Sequence, residues 1–74
     1  MTERAREMEN NIRERRKKRQ LSQESLAKKA NVTRQTINAI ENAKYDPSLE
    51  LAFRLAEILE TTVDQLFIKG VKSE

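Results

Sequence analysis

The chain has no cysteine and no histidine, and only one glycine and one proline in 74 residues. Without cysteine, neither a disulfide nor a thiolate metal site can reinforce its small core. Without histidine, the common nucleophile–base pairs and most transition-metal sites are missing, so Ser22, Ser25, Ser48 and Ser73 have no imidazole to activate them. The expectation is a protein that is not an enzyme and calls for no cofactor and no metal. The scarcity of glycine and proline points to helices joined by tight connections. No apolar run approaches the ~18 residues of a membrane span, and there is no signal-peptide core, so a soluble, cytoplasmic protein is expected. A chain of this length makes one small domain with a limited core.

The net charge is +3 and unevenly spread. Residues 1–20 hold eight Lys/Arg against four acids, residues 21–47 four against three, and residues 48–74 three against five. One end is basic and the other mildly acidic, which suggests a polyanionic partner. The basic run Arg13, Arg15, Arg16, Lys17, Lys18, Arg19 also reads as a solvated helix end, where the dipole favours cations.

Residues 1–9 are charged and weakly patterned, either a frayed arm or an extension of the first helix. Residues 10–67 read as one helical domain. A helix from about Asn11 to Lys18 is anchored by Ile12, with Arg16 one turn on. Ser22 caps a second, about Gln23 to Ala30, with Leu26, Ala27 and Ala30 as its buried stripe. Asn31 suits a left-handed stop and Val32 plugs the turn. Thr33 caps a third helix, Arg34 to about Asn42. Pro47 breaks the chain before Ser48, which caps a fourth from Leu49 to about Leu59, with Leu49, Ala52, Leu55, Ala56 and Leu59 expected to face inward. Thr62 caps a short fifth through about Phe67, and Thr62, Val63, Asp64 and Gln65 spell a capping box. Residues 68–74 form a tail around Gly70, either loose or a short extended segment. There are no internal repeats.

On a helical wheel, Arg34, Gln35, Asn38, Ala39 and Asn42 share one side of the third helix, opposite Thr36, Ile37, Ile40 and Glu41. The first set carries guanidinium and amide groups, which pair with guanine and adenine edges in a major groove. An ordinary amphipathic helix would also have a polar outside, and the caps separate the two readings. Behind their hydroxyl caps, three helices place an acid at the second position: Glu24, Glu50 and Asp64. An acid there stabilises by ~0.3–1 kcal/mol. The third helix has Gln35 at that position and Arg34 before it, which suits an incoming anion. Gln23, first in the second helix, is placed to hydrogen-bond a phosphate.

These residues carry a family resemblance. Leu21-Ser22-Gln23-Glu24-Ser25-Leu26-Ala27, then Val32-Thr33-Arg34-Gln35-Thr36-Ile37, then Ile40-Glu41-Asn42 and Pro47-Ser48-Leu49, resemble the Xre family, the lambda/434 repressor and Cro type of helix-turn-helix regulator, in its short single-domain form. The resemblance spans about residues 10–67. It implies a compact five-helix all-α fold with the helix-turn-helix at helices two and three, a prokaryotic or phage origin, a homodimer, and a palindromic double-stranded operator, with repression as the outcome. It places Arg34, Gln35, Asn38 and Ala39 at base edges. Ser22, Gln23, Thr33, Asn42, Lys44 and Tyr45 fall at phosphates. Arg16 and Glu41 match an ion pair between the first and third helices, with Arg16 expected to neutralise Glu41 and turn toward the DNA backbone. The family often has glycine where this chain has Gln20, Asn31 and Ala43. Leu66, Phe67, Ile68 and Val71 exceed what a tiny core needs and are assigned to the dimer seam.

Two other readings remain open: an antitoxin-type regulator that also clamps a toxin protein, and a helical interaction module that binds no DNA. The first requires an apolar patch left exposed in the dimer. The second leaves Arg34 and Gln35 unexplained.

Overall fold

The computed structural model describes residues 9–67. Among them are five α-helices and no strand: α1 (Ile12–Lys18), α2 (Gln23–Ala30), α3 (Arg34–Glu41), α4 (Leu49–Ile58) and α5 (Val63–Leu66). The hydroxyl caps set four of the starts. Ser22, Thr33, Ser48 and Thr62 each accept a hydrogen bond from the backbone N–H three residues on, at 2.9, 3.2, 3.1 and 3.3 Å. Each such cap contributes about 1 kcal/mol. The capping box of α5 is half formed, because Gln65 turns its Oε1 to the Thr61 hydroxyl at 3.4 Å.

The ends of α1 to α4 share one motif. Gln20, Asn31, Ala43 and Glu60 are left-handed, with φ of 59, 63, 58 and 57°. After each, the next N–H returns to a carbonyl five residues back: Leu21 to Arg16, Val32 to Ala27, Lys44 to Ala39 and Thr61 to Ala56, at 2.9–3.0 Å. This Schellman closure satisfies carbonyls the helix leaves bare and reverses the chain in very few residues. None of the four left-handed residues is glycine. Positions 20, 31 and 43 are the three where the family prefers it.

α1 has no hydroxyl cap. Asn10 accepts from the Ile12 N–H at 3.1 Å and donates to the Ile40 carbonyl at 2.7 Å. Asn11 donates from its backbone to Leu66 (2.9 Å) and from its side chain to Gln65 (3.0 Å). The start of α1 is thus pinned to the ends of α3 and α5.

Ile12, Leu26, Ile37, Ile40, Leu55, Leu59 and Leu66 are fully buried and join the helices in one core. Two expectations are corrected. Leu49 is 69% exposed, and the inner face of α4 is carried by Leu51, Ala52, Leu55, Ala56 and Leu59. Leu49 instead lies one turn before Phe53, 59% exposed, as an apolar pair outside that face. Leu66, assigned to the dimer seam, is fully buried within the single chain, and Phe67 is nearly so. Both fill the core because α5 is too short to stand without them. Ile68, Val71 and the rest of the expected tail lie outside the described residues, as does most of the expected arm. Among the described residues, no helix is long and apolar enough to cross a membrane.

Candidate nucleic-acid interface

α2 and α3 are joined by three residues, left-handed Asn31, half-buried Val32 and the cap Thr33. Ile37 and Ile40 anchor α3 against the core, and this fixes which side faces out. Arg34, Gln35, Asn38 and Asn42 are exposed and Ala39 is half-buried. The first turn of α3 contains no acid, whereas those of α2, α4 and α5 contain Glu24, Glu50 and Asp64. α3 therefore presents a bare positive end carrying Arg34.

Of the residues expected at phosphates, Ser22, Thr33, Lys44 and Tyr45 are exposed. The Ser22 and Thr33 hydroxyls also serve as caps. Gln23 is half-buried and bridges the two helices, donating from Nε2 to Glu41 Oε1 at 3.1 Å and accepting from Asn38 Nδ2 at 3.5 Å.

Glu41 is the centre of the site. Its side chain is 0% exposed. Arg16 donates from Nε to Oε2 at 2.7 Å and from Nη2 to Oε1 at 3.3 Å. Arg13 adds a longer bond from Nε to Oε1 at 3.5 Å. Burial by itself would raise the Glu41 carboxyl. The hydrogen bonds from Arg16, Gln23 and Arg13, with the Arg16 charge, outweigh it and hold the group below the ordinary carboxylate value.

The expected Arg16–Glu41 pair is therefore present, but Arg16 does not turn outward. Its Nη1 donates to the Leu21 carbonyl at 2.9 Å, and its side chain is only 10% exposed. With Nε and both terminal nitrogens engaged inside the fold, it is removed from the set of DNA-backbone contacts. The guanidinium open to solvent is that of Arg13, 53% exposed, which reaches both Glu41 and Asn42, the latter at 3.4 Å. Sequence reasoning passed over Arg13. The signal was its spacing, three residues before Arg16 and so on the same side of α1.

A three-residue turn between two caps and an exposed amide–guanidinium face on the second helix define a helix-turn-helix domain. Residues 12–66 match the helix-turn-helix family model. An uncharacterised HTH-type transcriptional regulator from Methanocaldococcus jannaschii is 56% identical over 48 residues, covering 65% of this chain and 73% of that protein. Another, from Archaeoglobus fulgidus, is 46% identical over 61 residues, covering 82% and 87%. Among solved structures, the restriction-modification controller protein C.AhdI from Aeromonas hydrophila superposes with a TM-score of 0.71 at 32% identity, covering 77% of this chain and 86% of that one. The chain belongs to the helix-turn-helix family of Xre/Cro-type DNA-binding transcriptional regulators.

Proposed function

We propose that this protein is a dimeric, sequence-specific repressor that acts in the cytoplasm on a palindromic operator. α3 enters the major groove, with Arg34, Gln35 and Asn38 at base edges and Ala39 close to them. Ser22, Gln23, Thr33, Asn42, Lys44 and Tyr45 hold the phosphates, and Arg13 takes the place first given to Arg16. The observation that carries this reading is the α3 N-terminus: it lacks the acid placed at the start of α2, α4 and α5, and bears Arg34 instead.

The second copy is received on the face made by α4 and α5. Exposed Leu49 and Phe53 border an open groove of about 890 Å³, whose lining includes Pro47, Ala56, Val63 and Phe67. Apolar surface of this kind is what a homodimer covers. In a two-fold dimer the two copies of α3 lie roughly 34 Å apart, one turn of the duplex. Bound this way, the dimer represses by covering a promoter.

Selection of bound sequences from a random pool, followed by gel shifts across a salt series, tests the reading. A two-fold symmetric consensus is expected, with affinity falling steeply as salt rises. Equal binding to selected and random DNA would refute it. The same exposed pair keeps the antitoxin reading in view. It predicts that Leu49 and Phe53 stay accessible to solvent in the DNA-bound dimer, whereas the repressor reading predicts that they are covered.

A further inference from the structure

The side chains around Glu41 form a closed ring with a direction. Gln23 Nε2 donates to Glu41 Oε1 at 3.1 Å, and Asn38 Nδ2 donates to Gln23 Oε1 at 3.5 Å. Asn42 Nδ2 donates to Asn38 Oδ1 at 3.3 Å, and Arg13 Nη2 donates to Asn42 Oδ1 at 3.4 Å. Arg13 Nε then returns to Glu41 Oε1 at 3.5 Å. Three neutral amides are strung between one anion and one cation.

That arrangement fixes their polarity. A carboxylate only accepts and a guanidinium only donates, whereas an amide has one end of each kind. Glu41 obliges Gln23 to turn its NH2 inward, so the Gln23 carbonyl faces Asn38. Asn42 is turned the same way by two partners. Its NH2 donates to the Asn38 backbone carbonyl at 2.9 Å and its carbonyl accepts from Arg13, so the Asn42 NH2 faces the Asn38 side chain from the other side. Both constraints give Asn38 the same orientation, with NH2 toward α2 and carbonyl toward Asn42. Reversing Asn38 alone would set carbonyl against carbonyl at Gln23 and NH2 against NH2 at Asn42. Reversing Gln23 would set its carbonyl against the Glu41 carboxylate, and reversing Asn42 its NH2 against the Arg13 guanidinium. Hydrogen bonds aligned head to tail also polarise and strengthen one another.

Asn38 is exposed, so its second N–H and second lone pair stay open to a ligand. An asparagine reads adenine with both, donating to N7 and accepting from the N6 amino group. Which side of the side chain donates decides which strand must carry the adenine. We propose that Arg13 and Glu41 are positioning residues for base specificity, locking the Asn38 amide in one orientation and thereby choosing A·T over T·A at one operator position. This rests on the reading of α3 as the base-reading helix.

The test is selection from a random DNA pool with four proteins, each also melted thermally: the natural chain, Asn38→Ala, Arg13→Met, and the double variant Gln23→Arg/Arg13→Met. Arginine at 23 donates both to Glu41 and to Asn38, which calls for the opposite amide orientation, and the double variant keeps the net charge. The natural chain is expected to prefer one strand orientation at one position by on the order of tenfold. Asn38→Ala should abolish that preference, Arg13→Met should narrow it, and the double variant should erase or reverse it. Gln23 and Arg13 also lie at phosphates, so overall affinity changes with them; because phosphate contacts carry no sequence, the other positions serve as the internal reference. Should the double variant fail to fold, Arg13→Met, on an exposed side chain, decides the matter. Unchanged preference in the foldable variants, with Asn38→Ala still abolishing it, overturns the amide lock alone. Unchanged selection by Asn38→Ala overturns base reading by Asn38 and the lock with it.

Discussion

Two faces of this domain are built in opposite ways. On the α2–α3 face, polar side chains are tied to one another: Glu41 is out of solvent, Arg16 is committed to it, and Gln23, Asn38 and Asn42 are linked in sequence. On the α4–α5 face, Leu49 and Phe53 extend from α4 beside a groove that no part of residues 9–67 fills. One face is organised before it meets a partner; the other is only apolar. Preorganised polar groups give selectivity, because little remains to be ordered on binding. Apolar area gives affinity with little direction. The first suits a partner read atom by atom, the second a copy that brings the same surface.

The sharpest way to break this comparison is to strike the centre of the polar face. Glu41→Ala leaves Arg16 buried without its carboxylate and should lose roughly 3–5 kcal/mol of stability in chemical denaturation, whereas replacing both partners (Arg16→Met with Glu41→Leu) should lose much less. A single replacement no worse than the double would show that the pair is not coupled. The same residue carries a pH signature. Its carboxyl is depressed in the fold, so its contribution is fully present above the unfolded carboxylate pKa and is lost as pH falls through the lower, folded one. Glu41→Gln should lack this part of the acid dependence.

Phe53→Glu is the next largest. It should weaken self-association by about 2 kcal/mol, seen as a shift to monomer in sedimentation, while changing unfolding of the single chain by less than about 0.5 kcal/mol. Equal effects on both would place Phe53 in the fold rather than on a docking face.

Ala43→Gly should gain up to about 1 kcal/mol, the relief of a left-handed alanine less the added freedom of glycine in the unfolded chain. Asn31→Gly should gain less, since asparagine tolerates that geometry. Gln35→Glu is the smallest and the most diagnostic. It should stabilise α3 by about 0.3–1 kcal/mol while weakening DNA binding, because it restores the acid that α2, α4 and α5 carry. Stabilisation with full DNA affinity would mean that the bare end has no part in binding.

Much of this was legible in the sequence because the signals are local. The four hydroxyl caps and the stop at Asn31 are short-range chemistry, and they place the helix boundaries within a residue or so. The wheel of α3 separated Ile37 and Ile40 from Arg34, Gln35 and Asn38 because a helix with a buried stripe has few ways to turn. What failed depended on distant neighbours. Leu49 and Leu51 both fit an apolar pattern, and only the packing of α4 against the core shows which is inside. Leu66 looks surplus until the shortness of α5 is seen to need it. Arg16 and Arg13 differ in no local property, yet one is sealed against Glu41 and the other left at the surface. The start of α1 was placed within a residue, but what holds it was not legible for the same reason, since its seat is made by residues 40, 65 and 66.

That seat has a consequence for how the domain is made. Asn11 is held by Gln65, 54 residues later in the chain. On a ribosome, α1, α2 and α3 are synthesised and free to pair while one end of α1 still waits for its last partners. A nascent chain paused short of Leu66 already holds the α3 partners of α1, the Ile40 carbonyl and Glu41, and lacks the Gln65 and Leu66 carbonyls that close over Asn11.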